Sequence, residues 1–185
     1  KYGFRDYRGG GRSSGRETAA RVAAGAIAIK ILEELGIEVF AYSRCIGGVE
    51  ISYDRFDIEE RDNNAFAVPD KMAAIEIEKV ADKAIADMDS IGGIIECVVK
   101  GMPVGIGETV FDKLDANISK AVMSIGATKG IEIGAGFQVA SSYGSVNNDE
   151  FTARDGAIIK NTNYSGGVLG GMSDGSDIVF RTAVK

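Results

Sequence analysis

With 185 residues and 45% hydrophobic side chains, the chain is long enough to bury one sizeable core and fits a single domain or a large part of one. Its net charge of -6 argues against nucleic-acid binding, and no apolar run is long enough to cross a bilayer. No histidine and only two cysteines leave too few ligands for a structural zinc site, and no secretory leader is visible.

The charge is unevenly placed. Residues 1–30 hold seven of the 21 basic residues (Lys1, Arg5, Arg8, Arg12, Arg16, Arg21, Lys30) against the two acids Asp6 and Glu17, so an acidic protein carries a local basic focus suited to a small polyanion. Within it, Arg8-Gly9-Gly10-Gly11-Arg12-Ser13-Ser14-Gly15-Arg16-Glu17-Thr18 delivers glycines, hydroxyls and guanidiniums into a helix start. Ser14 followed by Glu17 reads as a capping box, which places free backbone N–H groups beside the loop. The glycines let the backbone approach a ligand, and Arg12, Arg16 and Arg21 offer bidentate contacts to phosphate or carboxylate. Two readings stand: an anion-holding loop, and an ordinary loop-to-helix junction. It is not a P-loop, because Arg16 and Glu17 stand where Lys and Ser or Thr are needed. The dinucleotide fingerprint fails as well, with Ser14 at its third glycine. Arg5 and Arg8 are the arginines expected to pair with acids instead.

The first helix is expected from Gly15 to Leu35 and, being rich in alanine, to be buried, with Gly36 as its stop. Ile37–Ile51 reads as strand, interrupted at Gly47-Gly48 by a bulge or hairpin turn. Tyr53–Ala67 is a polar surface excursion. Pro69 and Asp70 open a helix to about Met88 whose apolar stripe is read as Met72, Ile75, Val80, Ala84 and Met88. Gly92–Met102 is a strand, Asp112–Ser124 a helix, and Ile131–Ala140 a strand or strand pair. Asn147–Ala157 reads as an exposed acidic loop, Asn161–Gly175 as a second glycine-dense loop, and Asp177–Val184 as a strand. The order is α/β-like, with two helix-then-strand copies hinting at an internal duplication.

Other candidates have plainer readings. Asp112 and Asp115 suit a helix start. Asp54, Asp57, Glu59, Glu60 and Asp62 lack calcium-loop spacing and read as a solvated face. Cys45 and Cys97 read as reduced core residues. Ser13 and Ser14 have no histidine to activate them, so a serine nucleophile is not expected.

The run from Tyr2 through Arg12-Ser13-Ser14-Gly15-Arg16-Glu17-Thr18 to Ile27 resembles a signature region of the chorismate synthase family. Further blocks agree in order: Asp89-Ser90-Ile91-Gly92-Gly93, Pro103 to Glu108 leading to Val110–Ala116, Lys129-Gly130-Ile131-Glu132-Ile133-Gly134, and Asn161 to Gly175. The resemblance spans essentially the whole chain. It implies that residues 1–185 are the central part of a single domain with a layered β-α-β sandwich-like fold of mixed α/β (α+β) class, pseudo-duplicated and incomplete here. It implies a cytoplasmic lyase of aromatic amino-acid biosynthesis, homotetrameric at full length. The reaction would be anti elimination of phosphate from 5-enolpyruvylshikimate 3-phosphate, giving chorismate in the last step of the shikimate pathway.

Reduced FMN is required but not consumed in that reaction, and NADPH enters only in a bifunctional form. By resemblance the cofactor-binding residues are Arg12, Ser13, Ser14, Gly126, Ala127, Gly170 and Lys185, and the substrate-binding residues are Arg16 and Arg21. The two catalytic histidines that the resemblance implies are absent from the chain, which holds none, so this chain by itself is expected to be inactive. Tyr164 stands where some members carry a histidine. The competing reading from the residues alone is a non-catalytic phosphate- or nucleotide-binding module. An RNA-binding role for the single Arg-Gly-Gly unit is remote in an acidic chain.

Overall fold

The computed structural model describes residues 3–154 and 156–185, so Lys1 and Tyr2 of the signature region and Asp155 of the expected acidic loop lie outside the described residues. In chain order these residues form α1 (Thr18–Glu34), β1 (Glu38–Ile46), β2 (Val49–Glu50), α2 (Lys71–Ala86), β3 (Gly93–Lys100), α3 (Leu114–Met123) and β4 (Thr128–Ile133). There follow β5 (Phe151–Arg154), β6 (Ala157–Lys160), β7 (Val168–Leu169), β8 (Met172–Ser173) and β9 (Ile178–Val184). One sheet runs β2-β1-β3-β9-β4 and is antiparallel at every pairing, while β5-β6 and β7-β8 form separate hairpins. The class is therefore mixed helix and sheet, of the α+β kind.

The period-2 alternation of the strands divides the core into two layers. On one face Phe40, Tyr42 and Val98 meet Ala73, Ala74 and Ile77 of α2, closed over by Ile51, Phe56, Ile58, Phe66 and Val68. On the other, Val39, Val99, Ile178, Phe180 and Ile133 meet Leu32 of α1 and Leu114 and Ile118 of α3. The two helix-then-strand units, α2–β3 and α3–β4, thus place their helices on opposite faces of one sheet.

Several elements differ from the sequence reading. α1 has no buried residue, and Val22 is 71% exposed. Its apolar side chains run all the way round the helix, so one edge near Leu32 meets the sheet while the others face outward. The buried stripe of α2 is Ala73, Ala74 and Ile77, with Met72 and Ile75 exposed, because the small alanines let the helix sit close on the sheet. Asp70 caps that helix as its position suggests, accepting the N–H groups of Met72 at 3.0 Å and Ala73 at 3.2 Å.

Gly47-Gly48 is the turn between β1 and β2, a hairpin, and the register shift lies earlier, between Ser43 and Cys45. The strand expected over Ile131–Ala140 ends at Ile133 because Gly134 and Gly136 both take φ +57, and residues Gly136–Ser141 form a 3-10 helix. Asn147–Ala157 contains strand β5, and the excursion after β2 contributes apolar side chains to the core.

Candidate functional site

The arginine and glycine loop enters α1 through two short 3-10 turns, Gly11–Ser13 and Gly15–Glu17. Ser13 Oγ donates to Gly10 O at 2.6 Å, and Ser14 Oγ accepts from Arg16 N at 3.4 Å. The capping box does not close. Glu17 turns instead to Arg21, whose Nε lies 2.8 Å from Glu17 Oε1, an i,i+4 pair that competes for the carboxylate. Arg8 pairs with Asp6 through two side-chain hydrogen bonds, at 2.9 and 3.1 Å. The guanidiniums of Arg12 and Arg16 have no hydrogen-bonded or ionic partner among the described residues, and both residues are exposed.

Arg21 ties this loop to the carboxy-terminal end of α3. Its Nη1 donates to Ser124 Oγ at 2.8 Å and its Nη2 to Ser124 O at 3.2 Å. Two residues on lies the Gly126-Ala127 turn, where Ala127 holds the left-handed conformation at φ +69 although it is not glycine. Such a conformation costs about 1–2 kcal/mol, and it persists where the surroundings fix the backbone. Here Ala127 O accepts the backbone N–H of Lys185 at 3.1 Å. Lys185 Nζ in turn donates to Ser90 O at 2.6 Å and Ser90 Oγ at 3.2 Å. Arg21, Ala127 and Lys185 therefore gather at one end of the sheet, where β3 and β4 begin and β9 ends.

Gly170 lies apart from them, at the opposite end of α3. Its neighbour Gly171 accepts the Leu114 N–H at 2.8 Å, at the start of that helix, and a ten-residue helix spans about 15 Å. Gly170 sits at the exposed turn between β7 and β8 with φ +62, and a Cβ there would meet nothing within 4 Å. Gly166 is the reverse case: a Cβ would fall 2.3 Å from Gly134 N, so the loop's base is packed backbone on backbone.

The remaining candidates have local duties. Asp115 Oδ1 accepts Ala116 N at 2.9 Å in the first turn of α3, whereas Asp112 uses its carbonyl rather than its carboxylate. Asp57 caps the 3-10 turn Ile58–Asn63, and Asp62 pairs with Arg61. Cys45 and Cys97 are free thiols, and burial pushes the Cys97 thiol up to about 11.

Two buried polar groups escape any reading of the sequence. The first runs across the sheet as Tyr42, Glu96, Arg181 and Glu132, each opposite the next on neighbouring strands. Glu96 accepts from Tyr42 and, at 2.8 Å, from Tyr53, and lies 3.5 Å from Arg44. Burial, then hydrogen bonding to Glu96, pushes both tyrosines upward, so they stay protonated. The second is Lys160, buried with Asp149 and Asp174 under the glycine loop. Burial alone would raise Asp149, but hydrogen bonds from Ser165, Thr162 and Tyr164 outweigh it and hold the carboxyl well below the usual range.

An antiparallel sheet with helices on both faces defines a mixed α+β protein, and at the entrance to α1 the guanidiniums of Arg12 and Arg16 have no partner among the described residues. The chain belongs to the chorismate synthase family, whose sequence model matches residues 1–185. It is 64% identical over 185 residues to a chorismate synthase of Lachnospira eligens and 56% identical to that of Agathobacter rectalis, covering 100% of this chain and 50% of each relative. A solved chorismate synthase structure superimposes with a TM-score of 0.87 at 33% identity, covering 94% of this chain and 57% of the other. The chain thus spans about half the length of the curated relatives it matches.

Proposed function

We propose that the whole protein is a chorismate synthase, a cytoplasmic homotetrameric lyase of aromatic amino-acid biosynthesis. It eliminates phosphate and a ring proton from 5-enolpyruvylshikimate 3-phosphate in the presence of reduced FMN. The observation that carries this reading is the whole-chain family match together with Arg12 and Arg16 at the entrance to α1, whose guanidiniums have no partner among the described residues.

The donor set fits a phosphorylated cofactor with a flat ring. The Arg21 guanidinium meets the Ser124 hydroxyl at one end of α3, and exposed glycine backbone lies at the other. Arg12, Ser13 and Ser14 would hold the flavin phosphate or ring side, Lys185 would add a cationic contact, and Gly126, Ala127 and Gly170 would offer backbone. The chemistry that bound reduced FMN would supply is transient electron density for the substrate, with no net oxidation or reduction.

Arg16 would meet the substrate phosphate with its full fork of donors. Arg21 has three of its N–H groups engaged by Glu17 and Ser124, which leaves two of a guanidinium's five donors for the same anion. In a water-poor pocket each such contact strengthens as negative charge builds on the departing phosphate. This chain holds no histidine and assigns no proton-transfer group, so by itself it is expected to be catalytically silent. Anaerobic phosphate release by the whole protein with reduced FMN tests the reading. ATP or GTP binding without flavin affinity would favour a phosphate-binding module instead. No helix of the described residues is long and apolar enough to cross a membrane.

A further inference from the structure

Lys160 ends β6 with its side chain only 3% exposed. Its Nζ lies 2.7 Å from Asp174 Oδ2 and 3.3 Å from Asp149 Oδ2, and it donates to Ser165 Oγ at 2.6 Å and Asn163 Oδ1 at 3.0 Å. Each of these partners belongs to, or grips, the loop that carries Gly170. Asp149 accepts the backbone N–H groups of Tyr164 and Ser165, each at 2.8 Å, and the Thr162 hydroxyl at 2.7 Å. Asn163 accepts the Gly167 N–H at 2.9 Å and donates to Asp177 O at 2.8 Å. Asp174 accepts the Ser176 N–H at 2.9 Å, and its own N–H reaches Gly167 O at 3.1 Å.

One ammonium therefore joins the incoming limb of the loop, at Asn163 and Ser165, to its outgoing limb at Asp174. Taking a lysine and two carboxylates out of water is costly, and apolar side chains of similar volume often serve stability as well or better. What a satisfied polar network supplies in exchange is a single backbone course. The tip between the two limbs, Leu169-Gly170, is exposed, while Gly166 and Gly171 at its base are packed against Gly134 and Lys113.

We propose that Lys160 is the positioning residue of the glycine loop: by cross-linking its two limbs it holds the Gly170 backbone in the course against which the cofactor ring rests. The proposal rests on the flavin reading given above. It places in the site a residue that touches neither cofactor nor substrate.

The test is FMN titration of the whole protein, paired with amide hydrogen exchange, for the wild type, Lys160→Met and Lys160→Arg. Loosening even one loop residue releases enough conformational entropy to weaken binding by about tenfold. Lys160→Met is expected to raise the FMN dissociation constant by at least that factor and to lose protection at Tyr164, Ser165, Gly167 and Ser176. The sheet amides and the affinity of the Arg12–Arg16 loop for inorganic phosphate should stay unchanged, and Lys160→Arg should recover most of the FMN affinity. Unaltered FMN affinity in Lys160→Met would overturn the proposal. If Lys160→Met fails to fold, the Lys160→Met, Asp174→Asn double variant, which removes one charge of each sign, carries the same two outcomes. Absence of FMN binding by the wild type would overturn the flavin reading and the cofactor role with it. Loop exchange in the variant then decides the remaining claim, loss of protection supporting the cross-link and retention overturning it.

Discussion

Glu96 and Arg181 stand directly opposite each other on β3 and β9, and Arg181 Nε lies 3.8 Å from the carboxylates of both Glu96 and Glu132. Arg44 approaches Glu96 from the neighbouring strand at 3.5 Å, so one 4% exposed carboxylate is shared by two guanidiniums on the face that α2 covers, Arg181 having Glu132 as a second partner.

Replacing that carboxylate leaves both arginines without their shared counter-ion. Glu96→Leu is expected to lower stability by about 3 kcal/mol, read as a drop in urea midpoint with an unchanged slope. A loss below about 1 kcal/mol, the range of an exposed pair, would mean that the charges find other partners.

Asp70 carries a pH dependence. Burial would raise its pKa, but hydrogen bonds from Arg55, from Ser52 N and from Ala73 N prevail and hold it at about 2. Its unfolded value is about 3.9, so the unfolded chain takes up the proton first. The stabilisation is complete above pH of about 4 and is lost as pH falls toward about 2. Denaturation series across that window should show a steeper acid-side loss in the wild type than in Asp70→Asn. Parallel curves would contradict the assignment.

The left-handed Ala127 predicts a gain. Glycine removes a conformational cost of about 1–2 kcal/mol but adds unfolded-state entropy of about 0.4–1 kcal/mol. Ala127→Gly should therefore stabilise by about 0.5 kcal/mol, raising the melting temperature by about 1–2 °C. Its FMN affinity should be unchanged, since the proposed contact is through backbone. A fall in melting temperature would show that the Ala127 methyl contributes packing that glycine loses.

What the sequence discloses is what lies close along the chain. The loop from Arg8 to Thr18 is legible because its glycines, hydroxyls and arginines are consecutive, and Pro69-Asp70 marks the start of α2 by its own chemistry. The capping box fails because a competitor four residues on, Arg21, takes the Glu17 carboxylate. The stripe of α2 is misread because Met72 and Ile75 are more hydrophobic than Ala73 and Ala74, while close helix-on-sheet packing rewards small side chains. Glu96, Arg181 and Lys160 are invisible for a different reason. Each sits in or beside an apolar strand; the partners of Glu96 and Arg181 are set by strand register, with Tyr42 and Glu96 separated by 54 positions, and those of Lys160 by the chain folding back on itself between Asp149 and Asp174. No pattern within one segment carries that information.

The central claim is that the guanidinium of Arg16, which has no partner among the described residues, grips the departing phosphate of the substrate. The most direct measurement compares wild type and Arg16→Ala, as whole proteins, in anaerobic phosphate release from 5-enolpyruvylshikimate 3-phosphate with reduced FMN. The account predicts flavin-dependent turnover in the wild type and a fall of at least about 100-fold in kcat/KM in the variant, the scale for losing a charged contact made in the transition state. Turnover that persists unchanged in Arg16→Ala would contradict it.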